Sequence, residues 1–386
     1  MGMDAEKHAV VLSGGGGFGA FEVGVLRALA GGKSPSTGGV PLKAEIFTGT
    51  SVGAYNAAVL ASKGQLDDQA AVAHLEELWL NRIAGTLTEN GVLRIRGNPL
   101  SIFRSDLLRD PMRPVMEASS DALFLGREAA KRLTYFMRSQ ESLARRAMEM
   151  FDIGQLICMD PLERLVRDTI SLDELRQSNK ILKIAATNWL TGALRIFVHD
   201  PARLGQAWKE EEEEEITDAT WPEAVLASTA IPGIFPAVRI EGARYVDGGV
   251  VMNTPLRPAI DAGATVIHLI AVTMEGNDIP LNAAPPNTAE IIARLLHLVV
   301  AATVDDDIST ARFINSIIDR ISPEPNGRQF REITIHRYHP RIDLGGVVAM
   351  LDFRKERLSS RMEAGEATAV QHDCAQEGCV IPRARG

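Results

Sequence analysis

Ile46-Phe47-Thr48-Gly49-Thr50-Ser51-Val52-Gly53-Ala54-Tyr55-Asn56-Ala57-Ala58-Val59-Leu60 changes its structural period in the middle. Ile46 to Thr48 reads as a strand. Val52 to Ser62 is built from small apolar residues and one Tyr, so it reads as a helix that packs closely on a sheet. Between the two, Gly49 to Gly53 satisfies G-x-S-x-G at a strand-to-helix turn. A serine in such a turn has a strained backbone, and side chains on its flanks would clash. Glycine at 49 and 53 removes them, which gives the spacing a physical cause. The plain alternative is a glycine-rich turn without reactivity; the strand-helix context favours Ser51 as a nucleophile.

Towards the N-terminus, Ala9 to Leu12 is an unbroken apolar run of the kind found in a parallel strand buried on both faces. Ala20, Val23, Leu26 and Leu29 then recur at helical spacing until Gly31 to Gly39 stops the helix. Two strand-helix units in succession imply a wound α/β domain. Gly14, Gly15, Gly16 and Gly17 lie between the first strand and its helix, where backbone N–H groups converge and the helix field favours negative charge. Two functions use that device. Gly14, Gly16 and Gly19 match the dinucleotide pattern G-x-G-x-x-G, and the same loop suits an oxyanion hole. A dinucleotide site wants an acidic residue at the end of the second strand, yet that strand ends in the serine turn, so the oxyanion reading gains.

A nucleophilic serine needs a base. Asp247-Gly248-Gly249 places a carboxylate where a short strand breaks into a glycine turn. Asp-Gly is a frequent turn dipeptide, so Asp247 draws its weight from the two motifs before it.

Elsewhere, 63–180 reads as a mainly helical insertion. Leu123 to Phe151 mixes Leu, Phe and Met with Arg127, Lys131, Arg132, Arg138, Arg145 and Arg146, which suits either packing on the sheet or a peripheral membrane contact. Leu182 to Thr187, Leu194 to Val198, Thr265 to Thr273 and Ile333 to Tyr338 read as further strands, and the six glutamates Glu210 to Glu215 as a solvated stretch. No repeat or linker divides the chain. One domain over 1–386 is expected, with the insertion at about 63–180 and a C-terminal extension at about 354–386.

The 386 residues carry a net charge of -9, which argues against a nucleic-acid partner. Three cysteines suit a reduced compartment. Cys158 reads as a core thiol, and Cys374 with Cys379 has no evident His or Cys pair elsewhere to complete a metal site, so no metal is expected. No signal peptide is visible, and the apolar runs Val266 to Met274 and Ile291 to Thr303 fall short of a spanning helix of about 18 residues.

Taken in order, Leu12 to Ala20, Gly49 to Gly53 and Asp247 to Gly249 resemble the motifs of the patatin-like phospholipase family. Ala227-Ser228-Thr229-Ala230-Ile231-Pro232-Gly233-Ile234-Phe235-Pro236 and Leu351-Asp352-Phe353 are similar to further family segments. The resemblance implies a three-layer wound sheet with helices on both faces. It also implies a Ser51–Asp247 dyad that needs no histidine and no cofactor, and a lipid or fatty-acyl ester substrate met in the cytoplasm or at a membrane surface. The family usually has Arg or Lys where this chain has Phe18, which removes a positive charge beside the glycine loop. Two rivals follow: a catalytically silent lipid-binding protein, and a Ser-Asp-His esterase with His336, His339 or His372 as late base.

Overall fold

The computed structural model describes residues 6–85, 94–95, 112–139, 157–204, 212–273, 308–309, 311–313, 315, 332–345 and 347–382. Strand β1 (His8–Leu12) runs parallel between β2 (Ile46–Thr50) and β10 (Val266–Ile270). On the β2 side follows parallel β5 (Ile181–Asn188); on the β10 side follows parallel β11 (Thr334–Tyr338). The sheet ends in antiparallel β6 (Leu194–His199) with β7 (Glu213–Glu215), and a hairpin of β8 (Val238–Ile240) and β9 (Ala243–Asp247) docks on the end of β5. Two short strands, β3 (Arg94–Ile95) and β4 (Ile157–Cys158), pair separately.

Alternation along the central strands accounts for the layers. Val10, Leu12, Phe47 and Tyr338 pack into one core, whereas Ala9, Val11, Ile46 and Ile335 pack into another on the opposite face. Both faces are covered, as an unbroken apolar strand requires. The first face carries α1 (Gly19–Ala30), α2 (Val52–Ser62), α3 (Asp68–Leu78) and the late helix α9 (Lys355–Val370); the second carries α8 (Leu256–Asp261). Helices α1 and α9 meet backbone to backbone, since a Cβ on Gly24 would strike Met362 O and one on Gly365 would strike Phe21 O. Residues 355–370, within the C-terminal extension expected at about 354–386, thus pack on the first face.

The segment read as an insertion is also more integrated than expected. Leu75 of α3, Leu165 and Val166 of α5 (Asp160–Thr169), and Leu175 of α6 (Leu172–Gln177) all join the first core. Helix α4 (Met112–Arg138) differs: Met116, Leu123, Leu133 and Met137 are exposed. At about 100° per residue these four fall within an arc of about 100°, a single apolar stripe. Among the described residues no helix is long and apolar enough to cross a membrane. The expectations for 140–151, 210–211 and 291–303 lie outside the described residues. One glutamate of the acidic run is not solvated: Glu213 is buried, 2.5 Å from Lys183 Nζ, because its strand packs beside β6.

Candidate functional site

Ser51 sits between β2 and α2 with φ 56° and ψ -126°, a left-handed backbone that costs a non-glycine residue on the order of 1–3 kcal/mol. The surroundings hold it there. Ser51 N–H donates to Ser228 Oγ at 2.9 Å, and Ser51 O accepts from Ala54 N–H at 3.0 Å as the helix begins. A Cβ on Gly49 would run into Gly53 O, and one on Gly53 would lie 2.5 Å from Leu12 O. The two glycines flanking the serine are thus required by backbone contacts that the sequence spacing foretold.

Asp247 closes β9, whose last residue pairs with Ala186 of β5. Three anchors fix this end. Asp247 N–H donates to Ala230 O at 2.9 Å, Thr187 Oγ1 donates to Asp247 O at 3.1 Å, and Asp247 Oδ1 accepts from Gly249 N–H at 2.7 Å. Gly248 is also demanded by contact, because a Cβ there would meet Ala185 O. The carboxyl is buried, and Oδ2 makes no hydrogen bond of full geometry. Burial pushes its pKa up from 3.8 to about 6; the adjacent Ser51 hydroxyl and the Gly249 N–H pull the other way. Folding thus brings together two residues 196 positions apart in sequence, 247 − 51 = 196.

The glycine loop lies against the serine: a Cβ on Gly14 would be 3.0 Å from Ser51 Cβ. Gly14 N–H is already engaged, donating to Asn253 O at 3.1 Å, while Asn253 Nδ2 donates to Gly14 O at 3.3 Å. Of the four glycines expected as oxyanion donors, Gly14 thus already spends its N–H within the protein. Gly16 has φ +55°, and a Cβ there would be 2.5 Å from Met350 O. Asn253 was not singled out from the sequence; it ties the loop to the turn after Asp247, and Thr50 Oγ1 reinforces that turn by donating to Met252 O at 2.9 Å.

Phe18 does not leave this loop without a positive charge. Arg361 of α9 places its guanidinium 4.8 Å from the Phe18 ring centroid, and its Nη1 is 2.8 Å from where a Gly17 Cβ would stand. It is buried and donates to Asp352 O and Ala349 O at 2.9 and 2.8 Å; burial lowers its pKa to about 10, which leaves it protonated at neutral pH. Beneath the loop, Asn56 Nδ2 donates to the buried Glu22 Oε2 at 2.8 Å and Trp79 Nε1 donates to Asn56 Oδ1 at 2.8 Å. Burial raises the Glu22 pKa well above its usual range, while the hydrogen bond from Asn56 pulls the other way.

The late histidines lie elsewhere. His336 and His372 stand beside Cys374 at the β11 edge, and His339 faces Glu377 at 3.0 Å. The influences on the Asp247 carboxyl are burial, Ser51 and Gly249, with no histidine among them. The sequence reading gave Cys374 and Cys379 no histidine partner, although His372 lies two residues before Cys374; folding adds His336 from 38 residues away.

The pattern of the patatin-like phospholipase family matches residues 10–260, well over half of the chain, and spans the glycine loop, Ser51 and Asp247. Uncharacterized NTE family proteins of Mycobacterium tuberculosis and Mycobacterium bovis are each 35% identical over 99 residues, a match that covers 25% of this chain and 25% of each relative. Among solved structures, VipD from Legionella pneumophila aligns with a TM-score of 0.38 at 15% identity, covering 95% of this chain and 66% of VipD. The type III effector ExoU aligns with a TM-score of 0.31 at 15% identity, covering 96% of this chain and 53% of ExoU. On the family match, the chain belongs to the patatin-like phospholipase family.

Proposed function

We propose that the protein is a carboxylic ester hydrolase acting on lipid acyl esters, with Ser51 as nucleophile and Asp247 as its base. The observation that carries this reading is the buried carboxyl beside a serine held at positive φ, with a pKa near 6. An aspartate near 6 remains largely ionised at neutral pH and is a stronger proton acceptor than one at 3.8. Asp247 takes the Ser51 hydroxyl proton as Oγ attacks the ester carbonyl. N–H groups of Gly15 to Gly17 hold the oxyanion, and the departing alcohol carries the proton away. Water, deprotonated by Asp247, then cleaves the acyl-serine and releases the fatty acid. The chemistry needs no metal or organic cofactor.

Lipid as the acyl source is supported by apolar side chains around the same end of the sheet. Trp189 and Leu190 at the β5–β6 turn, and Val250 and Val251 just past Asp247, are all exposed. On α4 the apolar stripe has Arg127, Lys131 and Arg138 along one side at helical spacing, a pattern suited to an anionic lipid surface.

The test is hydrolysis of p-nitrophenyl esters of graded chain length and of mixed phospholipid vesicles by wild type, Ser51→Ala and Asp247→Ala in the presence of EDTA. Activity in wild type alone is expected. A wild type inert on every ester would favour a lipid-binding protein without turnover. Leu190→Asp should lower turnover of vesicles and spare that of a short soluble ester; equal loss on both would remove the interfacial role.

A further inference from the structure

One ring nitrogen each of His336 and His372, with Cys374 Sγ and Cys379 Sγ, all lie within 4.8 Å of one another. Cys374 Sγ is 3.4 Å from His336 Nδ1 and 3.4 Å from His372 Nε2, and Cys379 Sγ is 3.5 Å from His372 Nε2. Bonds of about 2.3 Å to sulfur and about 2.0–2.1 Å to nitrogen at tetrahedral angles require ligand-to-ligand edges of about 3.4–3.8 Å. Three of the six edges already have about that length and none exceeds 4.8 Å, so small side-chain shifts would close the set around one ion. Two imidazoles and two thiols in this arrangement suit zinc above the other common divalent ions, since carboxylate-preferring ions find no oxygen ligand in the set.

The surroundings hold the four atoms from both sides. His336 is in β11, whose neighbour Ile335 exchanges hydrogen bonds with Val380: Ile335 N–H to Val380 O at 2.8 Å and Val380 N–H to Ile335 O at 2.9 Å. Arg337 N–H donates to Cys379 Sγ at 3.3 Å, which orients the sulfur towards β11. Cys379 N–H donates to Cys374 O at 3.3 Å, which fixes the turn that carries both sulfurs. The His336 ring stacks on His268 of β10 with centroids 5.2 Å apart.

We propose that His336, His372, Cys374 and Cys379 bind one zinc ion that clamps the turn after α9 to the edge strand β11. Binding displaces the two thiol protons and leaves a four-coordinate ion with no open position, which marks a structural site. The clamp lies far from the chemistry. β11 is three strands from β2, so the cluster is about 14 Å or more across the sheet from the serine strand. The turn that it clamps follows α9, the helix that carries Arg361.

The inference is independent of the hydrolase reading and is tested on the full chain, with Ser51→Ala alongside. Wild type and Ser51→Ala, purified under reducing conditions with zinc in the medium, should each retain about one zinc per chain through gel filtration. Cobalt titrated into the chain after zinc removal should give the visible bands of a tetrahedral ion and a thiolate charge-transfer band. Cys158→Ser should keep the metal; Cys374→Ser and Cys379→Ser should lose it. Where those two variants fail to fold, the wild-type cobalt spectrum decides by itself. A metal-free chain with no thiolate-to-cobalt band, or a Cys374–Cys379 disulfide in the protein isolated under reducing conditions, would overturn the proposal.

Discussion

The serine end of the sheet and its far edge at β11 are built by different means. Around Ser51 the restraints act mainly on the backbone: Gly53 closes on Leu12 O, Gly248 on Ala185 O, and the side chains of Ser228, Thr187 and Asn253 bond main-chain groups. At the β11 edge, side chains from a strand and a distant turn converge on one another. The first kind of site fixes where a hydroxyl and a carboxyl stand before any ligand arrives, which suits catalysis. The second kind gathers ligands that a bound ion would lock together, which suits stability. If this division is right, damage to the serine end should cost activity and little stability, and damage to the β11 edge the reverse.

Asp247→Asn offers the largest contrast. On the proposed dyad, replacing Asp247 removes the base and should lower kcat by roughly 10²–10⁴-fold. The fold should gain from it. An unfolded aspartate has pKa 3.8 and the folded one about 6, so the folded state holds the proton to higher pH and stability falls as pH rises between those values. Above pH 6 the ionised Asp247 costs the fold on the order of 2–3 kcal/mol, which Asn avoids while Oδ1 still accepts from Gly249. Urea unfolding at pH 8 should therefore show the inactive variant as the more stable, and at pH 3 the two should converge. A variant less stable at pH 8 would break the comparison. The wild type should also lose activity as pH falls through about 6.

The loop comes next in size. Gly16→Ala forces a Cβ against Met350 O at φ +55°, which should displace a neighbouring N–H from the proposed oxyanion position. Loss of one such donor is worth on the order of 2.7–4 kcal/mol in the transition state, roughly a hundredfold to a thousandfold in kcat. KM for a soluble ester should change little. Cys374→Ser sharpens the opposite side: its melting temperature should drop by several degrees, while kcat at 25 °C stays within about threefold of wild type. A loss of turnover as large as that of Gly16→Ala would mean that the two regions act as one.

The same contrast explains what the sequence disclosed. G-x-S-x-G, the glycine run and Asp-Gly-Gly are short, because a strained turn is made by neighbouring residues and needs glycine where backbones touch. The wound sheet was legible for a similar reason: β1 and β2 are unbroken apolar runs, each followed by a helical period. His372, Cys374 and Cys379 stand close in sequence, but His336 carries no local signal that would join them, since it is an ordinary strand residue until β11 and the turn after α9 meet. Asn253 and Arg361 are invisible on the same ground. Glu213 escaped because a run of six glutamates reads as solvated, whereas the pairing of β7 with β6 turns one of them inward towards Lys183.

Arg361 tests where the division blurs, and its effect should be the smallest. It belongs to α9, yet its guanidinium stands over Phe18 and beside Gly17 at the serine end. A buried cation at that distance favours negative charge on the loop, and it also braces Ala349 O and Asp352 O. Arg361→Met keeps much of the stem and removes both effects; Arg361→Lys keeps the charge and loses the fork. If charge matters, kcat on a soluble ester falls about tenfold in the Met variant, about 1.4 kcal/mol, with KM unchanged and much of the rate restored in the Lys variant. If only the brace matters, both variants lose melting temperature alike and kcat stays level. The first outcome would make the late helix part of the oxyanion machinery and would supply from position 361 the charge that Phe18 does not carry.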